Sequence, residues 1–498
     1  MAGQKKPKTP FQKNDRVKVT ITDISTDGSG IGKTDTGYTL FVKDAVPGDT
    51  VTALITKPLS RYAFARIEQI ISLSSDRAEP VCPVSRSCGG CQLQPVSYER
   101  QLRFKEQLVR GNLIRIGGLS PEEAERIIQP IAGSEEIYGY RNKLQIPVQP
   151  DPVTGKAAAG FYAGRSHRIV PVQECAVSMP AHSRIVSVIL GFMNERGIPA
   201  YDETDGSGMV RHILIREGYH TGEVSICIVS AVKELPYEKE LAEKIAGSLR
   251  DTDRAGDRHT GVSKIVSISL NYNPEKTNVI LGKDLRFLWG KKEMEDLIFP
   301  DREILGDDTV WSEPMRYAVS PMAFYQVNPL QTQKLYSYAL KFAGLSGQEN
   351  VWDLYCGAGT ISLFLARAAK HVTGIEIVPE AIADARRNAS LNSISNADFY
   401  CGAAEDLLPQ VADGMTGSVD VVVIDPPRKG LDPDCIDTII KAQPKRIVYV
   451  SCDSSTLSRD ISLFAKGGYR PQIVQPVDMF PQTVHVESVV KLTRAGLS

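Results

Sequence analysis

The sequence predicts a multidomain α/β protein with three parts. The chain has 498 residues, enough for three domains of about 150 residues each. From about residue 311 onward, strand-like and helix-like segments alternate, which is typical of a doubly wound, mostly parallel sheet. Residues 15 to 71 contain closely spaced strands and turn pairs, which favours a small β-barrel. The region between them, residues 80 to 310, is predicted to be a mixed α+β domain.

The N-terminal barrel is predicted from four strand-like runs. Turns are expected at Asp27-Gly28, Thr36-Gly37 and Pro47-Gly48, because these residue types favour tight turns. A β module that serves only folding or oligomer contacts would show the same pattern. The predicted strands are Arg16 to Ile24, Tyr38 to Val42, Asp49 to Thr56 and Tyr62 to Ile71.

The middle region contains strands, a polar insertion and one amphipathic helix. Val210 to Arg216 and Val224 to Ser230 are strand-like, whereas Asp251 to Gly261 is polar and predicts a loose loop. Residues 97 to 116 carry apolar side chains at helical spacing among charged ones. We expect this helix to pack against a neighbouring domain.

The C-terminal third supplies the alternating pattern of the parallel sheet. Its β-branched runs predict buried strands, and the amphipathic segments between them predict crossover helices. Two further apolar runs, Gln472 to Val477 and Val486 to Leu492, are expected to complete the edge of the sheet. The predicted strands are Asn350 to Leu354, Val372 to Ile375, Val419 to Ile424 and Arg446 to Val450; the predicted helices are Ile361 to Ala369, Pro379 to Asn392 and Thr456 to Ala465.

Composition and charge exclude several classes of protein. The chain is 42% hydrophobic and 23% charged, which is typical of globular proteins rather than disordered or fibrous ones. The net charge of -1 gives no global attraction to nucleic acid, so such binding would need a local basic patch. No apolar run is long enough to span a bilayer, and the first residues lack a hydrophobic signal core. We therefore expect a cytoplasmic protein without a membrane partner. The candidate basic patch comprises Lys5, Lys6, Lys8, Lys13, Arg16 and Lys18.

Three closely spaced cysteines predict a metal centre. Cys82, Cys88 and Cys91 fall within ten residues around two glycines, which allow the backbone to bend. Cys175 is the leading candidate for a fourth ligand. Four thiolates suit either structural zinc or an iron-sulfur cluster, and the spacing alone does not choose between them. The alternative is that these cysteines only pack, although cysteines in glycine-flanked loops are poor core residues.

A glycine turn after a strand predicts a nucleoside pocket. Gly357 and Gly359 follow the strand at Asn350 to Leu354, and Glu376 ends the next strand about 20 positions later, where a ribose diol needs an acid. No phosphate-gripping lysine follows the turn, which favours S-adenosylmethionine (SAM) over ATP. The alternative is that the two glycines serve only helix packing.

Asp425, Cys452 and Glu487 are predicted at the same edge of the sheet. Asp425 opens a Pro-Pro loop directly after a buried strand, so it should project into the ligand crevice, although a structural turn would look similar. Cys452 follows another buried strand, where a thiol beside a cofactor pocket suggests covalent catalysis. Glu487 would be the accompanying base. Taken singly, the thiol is also compatible with a buried structural cysteine, and the glutamate with a solvated edge charge.

In order along the chain, the motifs resemble those of a known family. The segments Asp353 to Thr360, Asp425 to Gly430, Val450-Ser-Cys-Asp453 and His485-Val-Glu-Ser488 resemble the RNA 5-methyluridine methyltransferases. Together with the four cysteines and the barrel, the chain resembles the bacterial 23S ribosomal RNA (uracil-5-)-methyltransferases. The resemblance extends over nearly the whole chain.

The resemblance implies a domain organisation and a cofactor set. It implies a TRAM domain, an OB-like RNA-binding barrel, at residues 12–72, and a central iron-sulfur domain at 73–310. A Rossmann-like SAM-dependent methyltransferase domain would follow at 311–498, and the helix at 97–116 could pack with it. The 4Fe-4S cluster would be held by Cys82, Cys88, Cys91 and Cys175.

The resemblance also assigns roles to individual residues. Cys452 matches the nucleophile that adds to C6 of uracil, and Glu487 matches the acceptor of the C5 proton. The implied partner is RNA, specifically 23S rRNA, bound by a monomer. The positions that match SAM contacts are Gln326, Tyr355, Glu376 and Asp425, beside Gly357 and Gly359 of the turn.

Three other functions remain open from the sequence. Methylation of transfer RNA is the nearest, because both RNA classes are substrates within the family. An RNA cytosine-5 methyltransferase would also use a thiol, but that class usually carries a cysteine after the prolines, where this chain has Arg428. A non-catalytic iron-sulfur RNA-binding protein is the third; the joint presence of Cys452, Glu487, Glu376 and Asp425 argues against it.

Overall fold

The computed structural model describes residues 9–164, 166–249, 263–306, 313–408, 418–494 and 496. The chain divides into two compact units. The first comprises Met1–Lys105, Phe161–Val170 and Phe480–His485, and the second comprises Glu106–Gly160, Pro171–Met479 and Val486–Ser498. The predicted polar insertion at 251–261, and Lys5, Lys6 and Lys8 of the basic patch, lie outside the described residues.

The first unit contains the predicted β-barrel, closed in the strand order β1-β2-β3-β5-β4. Alternate residues of β1, such as Val19 and Ile21, are buried in its core. Strand β2 was not predicted, because its two glycines weaken the strand signal. A Cβ at Gly32 would lie 2.5 Å from a methyl of Val19, so the tight barrel requires glycine there. The strands are β1 Arg16–Ile24, β2 Gly30–Lys33, β3 Thr39–Lys43, β4 Thr50–Pro58 and β5 Tyr62–Ser72.

Two helices follow the barrel in the chain, α1 Tyr98–Arg115 and α2 Pro121–Ile127. Ser120 caps α2 in a reciprocal pair of hydrogen bonds with Glu123, which explains why the helix begins there. In the second unit, Val109 and Leu113 of α1 lie in one apolar cluster with Trp352. The later part of α1 therefore packs in the core of the C-terminal sheet. The domain boundaries at 12–72, 73–310 and 311–498 stay predictions.

A seven-stranded sheet forms the middle of the fold, in the order β12-β11-β10-β9-β6-β7-β8. Its strands β9 and β10 are buried along their whole length, as their apolar runs predict. The strands are β6 Lys143–Pro150, β7 Ala157–Tyr162, β8 Ile169–Pro171, β9 Val210–Glu217, β10 Glu223–Ser230, β11 Lys264–Tyr272 and β12 Asp284–Gly290, with helices α3 Pro180–Arg196 and α4 Glu238–Ala246.

A short antiparallel pair leads from this sheet to the C-terminal one. Strands β13 Met294–Ile298 and β14 Met315–Val319 pair with each other, and helix α5 Arg302–Leu305 lies between them in the chain. Asp301 caps α5 by accepting hydrogen bonds from two backbone N–H groups.

The C-terminal sheet has seven strands in the order β17-β16-β15-β18-β19-β21-β20. The first five are parallel, whereas β21 runs antiparallel to both β19 and β20. The predicted doubly wound sheet is thus confirmed, with the two late strands completing its edge. The elements are α6 Pro329–Ala343, β15 Asn350–Leu354, α7 Thr360–Ala366, β16 His371–Glu376, α8 Pro379–Leu391, β17 Ala397–Cys401, β18 Val421–Ile424, α9 Pro433–Ala442, β19 Arg446–Ser451, α10 Ser454–Lys466, β20 Tyr469–Val477 and β21 Glu487–Arg494.

Within the described ranges, no helix combines the length and the apolar character that crossing a membrane would require.

Packing of α1 gives a testable prediction about stability. Leu113 is fully buried in the cluster that contains Trp352, so Leu113→Ala should lower the free energy of unfolding by about 2–5 kcal/mol. Ile116 lies just beyond α1 and is 43% exposed, so Ile116→Ala is the matched control and should cost under about 1 kcal/mol. Urea unfolding of both variants checks this. Equal effects of the two substitutions would contradict the packing described above.

Candidate active site

The site lies where the order of the C-terminal sheet reverses. Strands β15 and β18 are neighbours in the sheet although two strands, β16 and β17, come between them in the chain; β16 and β19 flank the pair on either side. Leu354 at the end of β15 is in register with Ile375 of β16 and Ile424 of β18. Tyr355, Glu376 and Asp425 come directly after these three residues, so they share one edge of the sheet. In open α/β sheets this edge is where ligands bind.

The turn after β15 has the shape that a closely approaching ligand needs. Tyr355, Gly357 and Gly359 have φ values of 63°, 55° and 77°, in the left-handed region. A Cβ at Gly357 would meet no atom within 4 Å, whereas one at Gly359 would lie 3.2 Å from Cβ of Ala385. A side chain at position 359 would therefore crowd α8, whereas Gly357 leaves the turn open.

Glu376 is positioned beside this open turn. The backbone N–H of Gly357 donates to its carboxylate Oε2 over 3.2 Å, and the N–H of Val378 donates to its Oε1 over 2.9 Å. A carboxylate held at the end of β16, next to an open glycine turn, fits the ribose diol of a nucleoside. The side chain of Tyr355 has a hydrogen bond with Cys435 and packs against the apolar core, so its backbone is the part that faces the turn.

Cys452 and Glu487 come together through strand pairing. Ser451 of β19 is in register with Ser488 of β21, and the two strands are antiparallel. Cys452 follows Ser451 and Glu487 precedes Ser488, so the thiol and the carboxyl occupy the next opposing positions of the same ladder. Glu487 is 4% exposed and Cys452 is half-buried.

The site is electrostatically acidic. Burial raises the pKa of Asp425 to about 7 and that of Glu487 to about 8, and the charge of Asp425 adds to the second shift. Burial raises the pKa of the Cys452 thiol to about 11, with further contributions from the charges of Glu487 and Asp425. Arg428 acts in the opposite direction on both the thiol and Glu487. These four side chains therefore share one electrostatic environment.

Two further buried groups beside the site were not predicted. Ser362 donates a hydrogen bond to Asp353, and burial raises the pKa of this carboxyl to about 7. The hydroxyl of Tyr336, on α6, donates to the side chain of Thr360 over 3.0 Å. Burial raises the pKa of Tyr336, and the charges of Asp425, Asp353 and Glu487 raise it further. Tyr336 sits in an ordinary amphipathic helix, so the sequence offers no signal for it.

Gln326 lies in the segment between β14 and α6, and its backbone is held from the middle sheet. Asn142 donates from its side-chain Nδ2 to the carbonyl of Gln326 and from its backbone N–H to the carbonyl of Val327, each over 3.0 Å. The Gln326 side chain is buried. Asn328 then caps α6, which fixes the start of that helix directly after the segment.

The predicted cysteine ligands are divided between the two compact units. Cys82, Cys88 and Cys91 belong to the first and Cys175 to the second, and all four are half-buried. The N–H of Gly90 lies 3.4 Å from the Cys88 sulfur, as expected for a bent glycine loop. In the part of the chain that the structure describes, no group of three or more Cys, His, Asp or Glu side chains is arranged to hold a metal ion. The iron-sulfur cluster and the central iron-sulfur domain are thus not shown.

The buried carboxyl of Glu487 gives a prediction about pH. Its pKa is raised in the folded protein from its ordinary value of 4.5, so folding favours the protonated form and stability is lost as pH rises from about 4.5 to 8. Glu487→Gln removes this pH-dependent loss of stability, because glutamine does not ionise. The variant should match the wild type near pH 5 and exceed it by about 2 kcal/mol or more at pH 8, because each pKa unit corresponds to about 1.4 kcal/mol.

Urea unfolding at pH 5, 7 and 8 measures this difference. Glu380 is exposed in the first turn of α8, so Glu380→Gln is the matched control and should show no such pH dependence. A constant difference between Glu487→Gln and the wild type across this range would rule out a raised pKa for Glu487.

Comparison with known protein families identifies two regions of the chain. Residues 288–495 match the family model described as tRNA (Uracil-5-)-methyltransferase, and residues 10–67 match the TRAM domain. The second match coincides with the closed five-stranded barrel.

Similarity to known proteins extends over nearly the whole chain. An uncharacterized RNA methyltransferase of Halalkalibacterium halodurans is 44% identical over 98% of this chain and 99% of its own length. Another, of Listeria innocua, is 43% identical over 97% of this chain and 98% of its own. Among solved structures, the Pyrococcus abyssi tRNA (uracil-54, C5)-methyltransferase in complex with S-adenosyl-L-homocysteine is 26% identical, with a TM-score of 0.71 over 96% of this chain and 99% of that one.

These similarities agree with the open glycine turn, the carboxylate beside it and the sheet order described above. The chain therefore belongs to the family of SAM-dependent RNA uracil-5-methyltransferases that carry an N-terminal TRAM domain.

Proposed function

We propose that this protein transfers a methyl group from SAM to C5 of a uridine in 23S rRNA, with Cys452 as the nucleophile and Glu487 as the base. The observation that supports these roles is the pairing of β19 with β21, which brings a half-buried thiol and a buried carboxyl to opposing positions, at the sheet edge where Glu376 also lies.

The chemistry explains why both groups are needed. C5 of uracil is too weak a nucleophile to take a methyl group directly. When the Cys452 thiolate forms a bond to C6, the electron pair of the C5–C6 double bond becomes available at C5. C5 would then take the methyl group as the S–CH3 bond breaks, and the sulfur would keep that electron pair and leave as a neutral thioether. Afterwards a base must remove the C5 proton, so that the double bond reforms and the thiolate leaves C6. A carboxyl whose pKa lies near 8 is well suited to accept that proton near neutral pH.

The thiol must lose its own proton before it can attack. In the described site the pKa of Cys452 is about 11 and those of the neighbouring carboxyls are about 7 and 8, so proton transfer from the thiol to a carboxylate is uphill by roughly 4–5 kcal/mol. The charge of Arg428 favours the thiolate and the ionised form of Glu487 alike, because it lowers the pKa of both groups. When bound, SAM supplies the methyl group together with the positive charge of its sulfonium.

Each proposed SAM contact has a distinct role. Glu376 would bind the ribose hydroxyls, and the open turn at Gly357, with the backbone of Tyr355, would allow close approach of the nucleoside. Asp425 and Gln326 would contact the remaining polar groups of SAM. Gly359 would line the same turn beside Gly357, where the approach of Ala385 of α8 leaves little room for a side chain.

The RNA class is the finer part of the proposal. The cysteines and the TRAM barrel favour 23S rRNA through the family resemblance described above, and we propose that a monomer binds it. Transfer RNA is the second candidate, since the similar solved structure from Pyrococcus abyssi is a tRNA (uracil-54, C5)-methyltransferase. An RNA-binding role without catalysis would leave the adjacency of Cys452 and Glu487 unexplained.

Covalent trapping tests the mechanism and the RNA class together. The protein and SAM are incubated separately with 5-fluorouridine-substituted ribosomal and transfer RNA pools, and protein–RNA adducts are measured on denaturing gels. Fluorine at C5 cannot leave as a proton does, so the wild type should accumulate an adduct with ribosomal RNA, and Cys452→Ala should form none. An adduct with transfer RNA alone would show that transfer RNA, and not 23S rRNA, is the substrate. No adduct with either pool would refute uracil-5 chemistry.

The same assay with unsubstituted RNA examines the base. In Glu487→Gln the C5 proton stays in place after methyl transfer, so the adduct should accumulate and turnover should fall by at least about 100-fold. Normal turnover in this variant would remove Glu487 from the mechanism.

The four cysteines are a separate part of the proposal, and no step of the reaction depends on them. Their spacing and the family resemblance support a 4Fe-4S cluster on Cys82, Cys88, Cys91 and Cys175. Protein purified without oxygen should contain about four iron and four sulfide per chain, and Cys88→Ser should lose them while SAM binding persists. Cys401 is exposed and far outside this spacing pattern, so Cys401→Ser is the control. A colourless wild type that contains zinc would refute the cluster.

A further inference from the structure

Three cationic side chains lie close together where β6 begins in the middle sheet. Lys143 of β6 and Arg216 of β9 are directly opposed in the antiparallel register, so their side chains lie on the same face. Arg141 precedes Lys143 by two residues, just before β6 begins, and forms a β-bridge with Ser178. The charges of Arg216 and Arg141 both act on Lys143, as expected for neighbours. We call Arg141, Lys143 and Arg216 the cation cluster.

The cation cluster is unfavourable by itself. Like charges directly opposed on a sheet repel each other, and burial disfavours the charged forms. Arg216 is 4% exposed, and burial lowers its pKa to about 10. Burial, together with the two arginine charges, lowers the pKa of the half-buried Lys143 to about 8.

The described residues do not balance this charge. None of their carboxylates lies within ion-pair distance of Arg141, Lys143 or Arg216. The Nε atoms of Arg141 and Arg216 are both buried and have no hydrogen-bond acceptor in the described ranges. A buried guanidinium with an unsatisfied donor is costly, which points to a ligand that carries negative charge.

The position of the cation cluster indicates which anion it would bind. Arg216 donates from Nη2 to the carbonyl of Ala323, and Asn142, between Arg141 and Lys143, donates to the carbonyl of Gln326. The cluster thus borders the segment that carries a proposed SAM contact, but it lies on the middle sheet. Glu376 and Gly357, the other proposed contacts, lie at the edge of the C-terminal sheet. A group of the RNA therefore fits this position better than the carboxylate of SAM.

We propose that the cation cluster binds a backbone phosphate of the RNA substrate beside the target uridine; this inference rests on the proposed function. A phosphate accepts several hydrogen bonds in the plane of a guanidinium and would relieve the repulsion within the cluster. C6 of a stacked uracil is out of reach of a thiol, so the base must leave its stack, at a cost of a few kcal/mol. A phosphate held at a fixed point would position the extruded nucleotide.

The test is equilibrium binding of ribosomal and transfer RNA pools, without SAM, over a series of salt concentrations. Lys143→Gln and Arg141→Gln should each weaken binding of the substrate RNA several-fold near 0.15 M salt. Each should also reduce the slope of log affinity against log salt by about 0.7, the value for one phosphate contact on a single strand. Lys156 is exposed in the turn between β6 and β7, so Lys156→Gln is the matched control and should leave both quantities unchanged.

Two further readouts separate this site from a structural role and from cofactor binding. Since the cluster is repulsive without an anion, Lys143→Gln should leave the urea midpoint unchanged or raise it, whereas loss of a structural contact would lower it. SAM affinity should stay at the wild-type value. A fall in SAM affinity with RNA binding intact would assign the cluster to the SAM carboxylate and overturn the inference.

The inference and the proposed function fail in different ways. If both variants keep the affinity and salt slope of the wild type, the phosphate site is refuted, even when the wild type forms the Cys452 adduct. If the wild type forms no adduct but the variants lose RNA affinity as expected, the cation cluster remains an RNA contact and the proposed chemistry is refuted.

Discussion

The site depends on the antiparallel pairing of β21 with β19. The parallel strands of the C-terminal sheet bring the glycine turn, Glu376 and Asp425 to one edge, as any doubly wound sheet would. Only the insertion of β21 beside β19 adds a buried carboxyl opposite Cys452. The backbone hydrogen bonds of this ladder fix where the backbone of Glu487 lies relative to β19.

The ionisable groups of this site are buried at a cost in free energy, because their charged forms lose hydration. Asp353, Asp425 and Glu487 all have raised pKa values because burial disfavours their charged forms, and the Cys452 thiol is affected in the same direction. The cation cluster on the middle sheet has the opposite charge, and burial likewise disfavours the charged forms of Lys143 and Arg216. The fold therefore supports two desolvated regions of opposite sign, one suited to a cationic cofactor and one to an anionic polymer. The first region is supported by the apolar cluster of the C-terminal sheet, whose burial stabilises the fold there.

Much of the fold could be predicted from local sequence because β-branched runs and turn residues act over short distances. The strands at Val419 to Ile424 and Arg446 to Val450 are examples, and β18 and β19 follow them closely. Strand β2 was missed because its glycines serve barrel packing. The order of β21 between β19 and β20 depends on pairing that no local pattern encodes. For the same reason, the cation cluster could not be predicted: its register joins residues more than 70 positions apart.

The place of β21 in the sheet also bears on synthesis of the chain. Residues of β21 are made after those of β19 and β20, yet they lie between these two strands in the finished sheet. When β19 and β20 have left the ribosome and β21 has not, the place between them in the sheet must stay empty. Otherwise β19 and β20 pair wrongly with each other and must separate again. Glu487 thus arrives on the strand that closes this gap, so the carboxyl reaches its place opposite Cys452 only when the sheet is complete.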